Sequence, residues 1–130
     1  MSQMERRTMP GGYALAQIDS PQVVMAASFA VSSLSEAPYS FASNVSAEAG
    51  YVVKVAKAWQ QVVAGMNFRL VVVVENATGE CIGSFSVSVY DRFGSLSVTK
   101  WGKEVGCAQA EGLLETQGSS FGEDGEDPNE

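Results

Sequence analysis

The sequence predicts an α+β domain in which one N-terminal helix packs on a curved antiparallel sheet. Apolar residues recur at three- and four-residue spacing in residues 20–35, whereas apolar and polar side chains alternate along much of residues 51–101. The expected order is a short strand, a helix and then four strands joined by turns. Strands in this order form an antiparallel meander, and the helix covers one of its faces.

The segment of residues 20–35 carries both a helix start and an apolar stripe. Ser20 offers a capping oxygen, and Pro21 suits the first helical position, where no amide donor is needed. The stripe comprises Val24, Ala27, Val31 and Leu34, widened by Val23, Phe29 and Ala30. Serines on the opposite face are poor helix formers, so packing on the sheet must hold this helix in place.

Strand signals stand on both sides of the helix. Residues 13–18 predict a short first strand, and a loop of residues 36–50 follows the helix. From residue 51 the pattern has period two, with a phase slip near Ala56 that we interpret as a β-bulge. The later strands are expected at residues 66–74, 84–89 and 96–101. One face of the first of these is expected to carry every second residue from 66 to 74, which are Met66, Phe68, Leu70, Val72 and Val74.

The turns of this meander alternate between the two ends of the sheet. The first turn lies near residues 63–66, the second at residues 76–80 and the third at residues 91–94. Because neighbouring strands are antiparallel, the first and third turns meet at the same end. The sequence therefore predicts that two hairpin tips lie side by side.

Composition fits one domain and gives little support for catalysis. The chain has 130 residues, of which 45% are hydrophobic, which is enough for a single core. It contains no histidine, so the commonest general base and metal ligand is missing. We expect neither an enzyme, a metal site nor a cofactor.

Charge is distributed unevenly along the chain, which we expect to have three parts. Residues 108–130 hold seven acidic residues and no basic ones, which leaves eight acids and eight bases in residues 1–107. We expect a flexible arm at residues 1–9, a folded domain at residues 10–107 and an acidic disordered tail at residues 108–130. The neutral body offers no basic surface for nucleic acid.

The sequence indicates a cytoplasmic protein. Residues 1–8 are polar and no hydrophobic region follows them, so no signal peptide is visible; a leader missing upstream would make the protein secreted. The longest aliphatic run is too short to span a bilayer, and we expect no membrane association. In the cytosol Cys81 and Cys107 are expected to stay reduced.

Four motifs together resemble the cystatins, which inhibit papain-like cysteine proteases. Residues 11–13 read Gly-Gly-Tyr, as in the N-terminal segment of plant cystatins. Residues 28–31 read Ser-Phe-Ala-Val within the helix, and residues 52–55 read Val-Val-Lys-Val. Residues 61–65 read Gln-Val-Val-Ala-Gly, which is similar to the family's first hairpin loop. The agreement of order and spacing is stronger than any one motif.

The resemblance implies a protein that binds a papain-like protease through three segments. A glycine arm and two hairpin turns would enter the active-site cleft, and inhibition would be competitive, reversible and non-covalent. The binding set would comprise Gly11, Gly12, Gln61, Val62, Val63, Ala64, Gly65, Asp91, Arg92, Phe93 and Gly94. We expect a monomer, although the resemblance allows a domain-swapped dimer, since the family is known to exchange its helix-bearing half between chains.

The second hairpin departs from the family pattern, which usually carries Pro-Trp. Here Phe93 either replaces the tryptophan as an aromatic anchor or folds back onto the sheet. Loss of a buried interface tryptophan costs roughly 2–4 kcal/mol, equivalent to about thirty- to a thousand-fold in the inhibition constant. We therefore expect weaker inhibition than in members that retain it.

Two further positions are open by resemblance. Secreted animal cystatins have a disulfide in a place comparable to Cys81 and Cys107. Some members hold an asparagine that blocks legumain on the loop where Asn44 lies. Both features are alternatives to the simpler readings, which are reduced thiols and an ordinary loop asparagine.

Two other functions compete with inhibition. One is a binding module on the same scaffold that has lost inhibition, for which the altered second hairpin is the warning sign. The other is an enzyme on a helix-wrapped sheet, which would need a catalytic set that scattered carboxylates and two cysteines do not supply. Titration into papain distinguishes an inhibitor from a non-inhibitory module.

Overall fold

One antiparallel sheet contains every strand of the described part of the chain, in chain order from β1 to β6. The structure is a computed structural model that describes residues 8–9 and 12–115. The strands are β1 Thr8–Met9, β2 Tyr13–Leu15, β3 Val52–Val63, β4 Gly65–Glu75, β5 Cys81–Arg92 and β6 Ser95–Glu104. The helices are α1 Pro21–Ser32, α2 Ala42–Ala47 and α3 Cys107–Glu115, with a 3-10 turn at Leu34–Glu36. The predicted α+β class is confirmed.

Helix α1 begins as the sequence predicts. The Ser20 side chain accepts a hydrogen bond from the Val23 backbone N–H at 3.3 Å, and Pro21 occupies the first turn. The buried stripe keeps most of the predicted residues, but Val24 is 46% exposed and Ala26 is buried in addition. Its members are Val23, Ala26, Ala27, Ala30 and Val31.

Helix α1 packs on one side of the sheet, which we call the first face. The β4 residues predicted to share that face do so, with Phe68, Leu70, Val72 and Val74 fully buried and Met66 packed at their edge. From β5 come Phe85, Val87 and Val89. The pairing of β3 with β4 shifts register between Val55 and Lys57, which confirms the predicted bulge.

The opposite side of the sheet, the second face, is also covered. Helix α3 packs there, and its Ala110 is fully buried against a cluster that includes Trp59, Val71 and Val73. This differs from the tail expected to begin at residue 108. Ala110, Leu113 and Leu114 recur at helical spacing and bury against the sheet, whereas most of the acidic residues come later.

The cysteines are paired, so the expectation of reduced thiols is wrong. Cys81 at the start of β5 and Cys107 at the start of α3 form a disulfide, with their Cα atoms 6.0 Å apart. The fold brings them together because β6 returns the chain to the end of the sheet where β5 begins. The bond holds the first turn of α3 to the sheet.

The ends of the predicted domain also differ in detail. Thr8 and Met9, expected in the flexible arm, form β1 and pair with Ala14 and Tyr13 of β2. Residues 1–7, 10–11 and 116–130 lie outside the described residues, and the rest of the expected arm and tail falls there. No helix in the described ranges is long and apolar enough to cross a bilayer.

Candidate functional site

The turn between β3 and β4 contains a single residue. Val63 pairs with Gly65, so Ala64 alone connects the two strands. Gly65 has φ +109°, a backbone conformation that side chains rarely adopt, and a Cβ there would collide with the Asp91 carbonyl oxygen. Only glycine meets both conditions, so Gly65 is needed for the close packing of this turn.

The side chains of this first turn form a small apolar surface. Val62 is 75% exposed and Val63 is 43% exposed. Behind them, the Asn67 side-chain amide donates a hydrogen bond to Gln61 Oε1 at 2.8 Å, across the paired strands. Large apolar side chains held in the open by a paired ladder suit binding another protein better than folding.

The turn between β5 and β6 is one residue longer than the first turn. Phe93 and Gly94 form a two-residue connection with φ +50° and +100°, the pattern of a type I′ turn. The Asp91 carboxylate accepts a hydrogen bond from the Gly94 backbone N–H at 2.7 Å. Asp91 and Gly94 thus shape the turn, and Arg92 lies exposed beside it.

Phe93 projects away from the molecule. Its side chain is 80% exposed, so it does not fold back onto the sheet. An aromatic residue with positive φ is an outlier, because its backbone is strained. The exposed ring gains no burial that would offset this strain. Such an outlier at the tip of a hairpin supports a binding role for the ring.

The structure brings the two turns together at one end of the sheet, as the meander predicts. Met66, next to the first turn, pairs with Asp91, next to the second. The Tyr90 hydroxyl donates a hydrogen bond to the Ala64 carbonyl oxygen, which joins β5 to the first turn. We call this end, from Gln61 to Gly65 and from Asp91 to Gly94, the tip end.

Gly12 reaches the same end from the neighbouring strand. Ala14 pairs with Gln60, so the antiparallel register runs Gly12 toward the first turn. Gly12 is exposed with φ +87°, and a Cβ there would lie 3.4 Å from the Gln61 Nε2 atom. Gly11 lies outside the described residues. Of the eleven predicted site residues, the structure therefore gathers ten at this end of the sheet. We call Gly12 and the tip end together the binding edge, or simply the edge.

The chemistry of this edge suits docking. Its exposed side chains are aliphatic or aromatic apart from Arg92. Among residues 8–9 and 12–115, no three histidine, cysteine or carboxylate side chains are grouped so that they could hold a metal ion. Asn44, the other position raised by the resemblance, is exposed on the short helix α2.

Sequence reasoning missed Tyr90 and Asn67, the two residues that support the tip end from behind. Both alternate with buried residues and so lie on the second face, in register with each other. The sequence gives little signal for either, because other polar residues occupy the next positions on the same face, Arg69 beside Asn67 and Ser88 beside Tyr90. Their partners become apparent only once the register is known.

Comparison with known proteins gives a likeness in solved structures. No family model matches the chain, and no curated protein matches it. A crystal structure of a salivary cystatin from the soft tick Ornithodoros moubata does match, at 20% sequence identity and a TM-score of 0.48. The match covers 75% of this chain and 100% of the tick chain.

Proposed function

We propose that this protein is a reversible, competitive inhibitor of papain-like cysteine proteases. The observation that carries the proposal is the joint placement of Gly12 and two hairpin turns on one edge, with Val62, Val63 and Phe93 exposed there. The first turn also bears the Gln-x-Val-x-Gly signature of cystatins. Signature and geometry therefore point to the same surface.

The edge would occupy a protease cleft in three parts. Gly12 has no side chain, so the arm could lie close to the cleft wall on the side that binds the residues preceding a scissile bond. Val62, Val63 and Ala64 would cover the catalytic cysteine with small apolar groups. Phe93 and Arg92 would contact the surface on the other side of that cysteine.

The inhibitor would resist cleavage because its tip is not an extended peptide. A protease needs several residues of extended chain across its cleft, whereas the first turn reverses direction at Ala64 alone. The ladder hydrogen bonds beside the turn would have to break before an extended chain could form. Binding therefore ends in a stable, non-covalent complex.

The disulfide supports a protein of an oxidising compartment. Structural disulfides persist in secreted proteins and are rare in the cytosol. We therefore propose a secreted or otherwise non-cytosolic location in place of the cytoplasmic one expected from the sequence. The relevant partner would be a papain- or cathepsin-type protease that shares this compartment, bound by a monomer.

Titration into papain with a fluorogenic peptide tests the function. The monomer fraction from size exclusion should give saturable inhibition. Its apparent inhibition constant should rise with substrate concentration, as competition requires. Removing residues 1–12 should weaken inhibition, because the arm is one of the three binding parts. A matched control is the Asn44→Ala variant, whose change lies on α2 and should leave inhibition of papain intact.

The altered second turn also favours a second candidate, a non-inhibitory binding module on the same scaffold. Arg92 and Phe93 stand where family members usually carry Pro-Trp, which would remove a main anchor. Absence of inhibition at micromolar protein would reject the inhibitor and favour this module. Saturable inhibition that is lost without residues 1–12 would reject the module.

A further inference from the structure

A hydrogen bond between distant segments joins the two hairpins at the tip end. Tyr90 of β5 donates its hydroxyl proton to the carbonyl oxygen of Ala64, 26 residues away in sequence. Ala64 is the one residue of the first turn outside the strand ladder, because its neighbours Val63 and Gly65 pair with each other. The hydroxyl of Tyr90 therefore holds the part of the turn that the ladder does not.

Backbone packing at the same place leaves no gap between the hairpins. A Cβ added to Gly65 would lie 3.1 Å from Arg92 Cα and 3.2 Å from the Tyr90 ring. Contacts this short mean that the first turn rests directly on the end of β5. Tyr90 lies at the centre of this contact, with its ring against Gly65 and its hydroxyl on Ala64.

A second polar bridge stands beside Tyr90 on the second face. Asn67 pairs with Tyr90 on β5 and with Gln61 on β3, and its amide donates to the Gln61 side chain. The row from Gln61 through Asn67 to Tyr90 thus crosses three strands directly behind the exposed tips. None of the three is among the strongly exposed apolar side chains that would meet a partner.

We propose that Tyr90 is a positioning residue that fixes the first turn to the second hairpin, so that both tips meet a protease as one rigid edge. The inference rests on the proposed function and concerns how the edge is held. A turn already fixed in its binding conformation loses less conformational freedom in the complex. A turn that samples other positions is competent for only part of the time, which lowers its apparent affinity.

The test is Tyr90→Phe, which keeps the ring and removes the hydroxyl. The inhibition constant for papain should rise about 3- to 10-fold, the equivalent of one lost hydrogen bond. The loss should appear mainly as slower association, because fewer molecules present a competent edge. Amide hydrogen exchange should accelerate most at residues 63–66 and much less in α1, and the melting temperature should fall by no more than a few degrees, as the loss of one hydrogen bond predicts.

The matched control is Tyr51→Phe, the same change at an exposed tyrosine beside the opposite end of β3. It should alter neither inhibition nor exchange at residues 63–66. A Tyr90→Phe variant that inhibits as well as the wild type would overturn the inference and leave the proposed function standing. So would a loss of inhibition accompanied by faster exchange throughout the chain, since that is general destabilisation. A wild-type protein that does not inhibit would overturn the function itself, and the inference with it.

Discussion

The two ends of the sheet differ in how their side chains are used. At the base end, around the turn between β4 and β5, polar and aromatic groups have partners. The disulfide joins Cys81 to Cys107, Lys54 pairs with Glu75 at 3.2 Å, and the Asn76 side chain accepts from two backbone amides of the turn. At the tip end, Val62 and Phe93 lie in the open.

Aromatic residues show the same contrast. At the base end, Tyr39 is buried among other rings and its hydroxyl donates to the Gly102 carbonyl oxygen at 2.6 Å. Burial, with a smaller contribution from Glu104, raises the pKa of Tyr39 to about 12, so the hydroxyl stays protonated at physiological pH. At the tip end, Phe93 has neither burial nor a relaxed backbone.

This comparison separates stability from recognition. Groups at the base end contribute to folding, so changing them should lower the free energy of unfolding and leave binding intact. The exposed side chains at the tip end contribute little to folding. Changing them should weaken binding and leave the free energy of unfolding nearly unchanged. A stability–activity separation of this kind is expected where a binding site is built from exposed or strained residues.

The largest effect on folding should come from removing the disulfide. In the double variant Cys81→Ser, Cys107→Ser, the free energy of unfolding should fall by about 3–4 kcal/mol, because the bond closes a loop with a sequence separation of 26 residues. Denaturant unfolding followed by tryptophan fluorescence, from Trp59 beneath α3 and from Trp101 in β6, measures the change. Inhibition of papain by the folded variant at 25 °C should change by less than about threefold.

Papain assays contain a thiol reductant, which acts on the disulfide of the wild type. The double variant is therefore a sharper test than chemical reduction, because it has no disulfide in either assay. Its comparison is the wild type unfolded under the same conditions without reductant. Equal stability of the two proteins would contradict the assignment of the base end as the stabilising one. Strong loss of inhibition in the folded variant would do so as well.

Phe93→Ala should give the largest effect on binding. Losing an aromatic anchor that is buried in an interface costs roughly 2–4 kcal/mol, or about thirty- to a thousand-fold in the inhibition constant. The unfolding free energy should hardly change, because the ring is 80% exposed. Tyr51→Ala, at the base end, is the control and should leave inhibition unchanged. An unaltered inhibition constant for Phe93→Ala would remove Phe93 from the site.

Gly83→Ala should act on folding alone. A Cβ at Gly83 would overlap the Phe41 ring, which stacks on Tyr39 in the first-face core. Forcing a methyl group into such a packed place costs about 1–3 kcal/mol. Thermal unfolding measures the loss, and Gly79→Ala is not an adequate control because its φ of +93° adds backbone strain. Gly106→Ala has open space around it and should change stability little.

Features written in neighbouring residues could be predicted from the sequence. The cap at Ser20, the bulge near Ala56 and the alternation of β4 each depend on a few consecutive positions, and the structure has all three. The adjacency of the two turns followed from strand order alone. Most of the α1 stripe was also predictable, but Val24 is exposed beside the buried Val23, because only packing decides between neighbouring residues that look alike in sequence.

Features that depend on distant partners were missed. The acidic composition of residues 108–130 predicts disorder, whereas Ala110, Leu113 and Leu114 gain their stability from packing on distant strands of the sheet. The compartment expected from the sequence predicts reduced thiols, whereas the strand register brings Cys81 and Cys107 together. The bond from Tyr90 to Ala64 likewise requires the register of β5 against β4, which no local pattern contains.

The smallest effect should come from the ion pair between β3 and β4. Lys54→Met keeps most of the side-chain length and removes the charge beside Glu75. Because the Lys54 side chain is 48% exposed, solvent screens the pair, although the Glu75 side chain is only 10% exposed and loses its partner; the variant should lose about 1 kcal/mol. The difference in unfolding free energy between wild type and variant should shrink further in about 1 M NaCl, where the screening length is about 3 Å. Inhibition of papain should be the same for both proteins, since the pair lies at the base end. A change in inhibition larger than that of Tyr90→Phe would mean that the two ends are coupled and that the division between them is wrong.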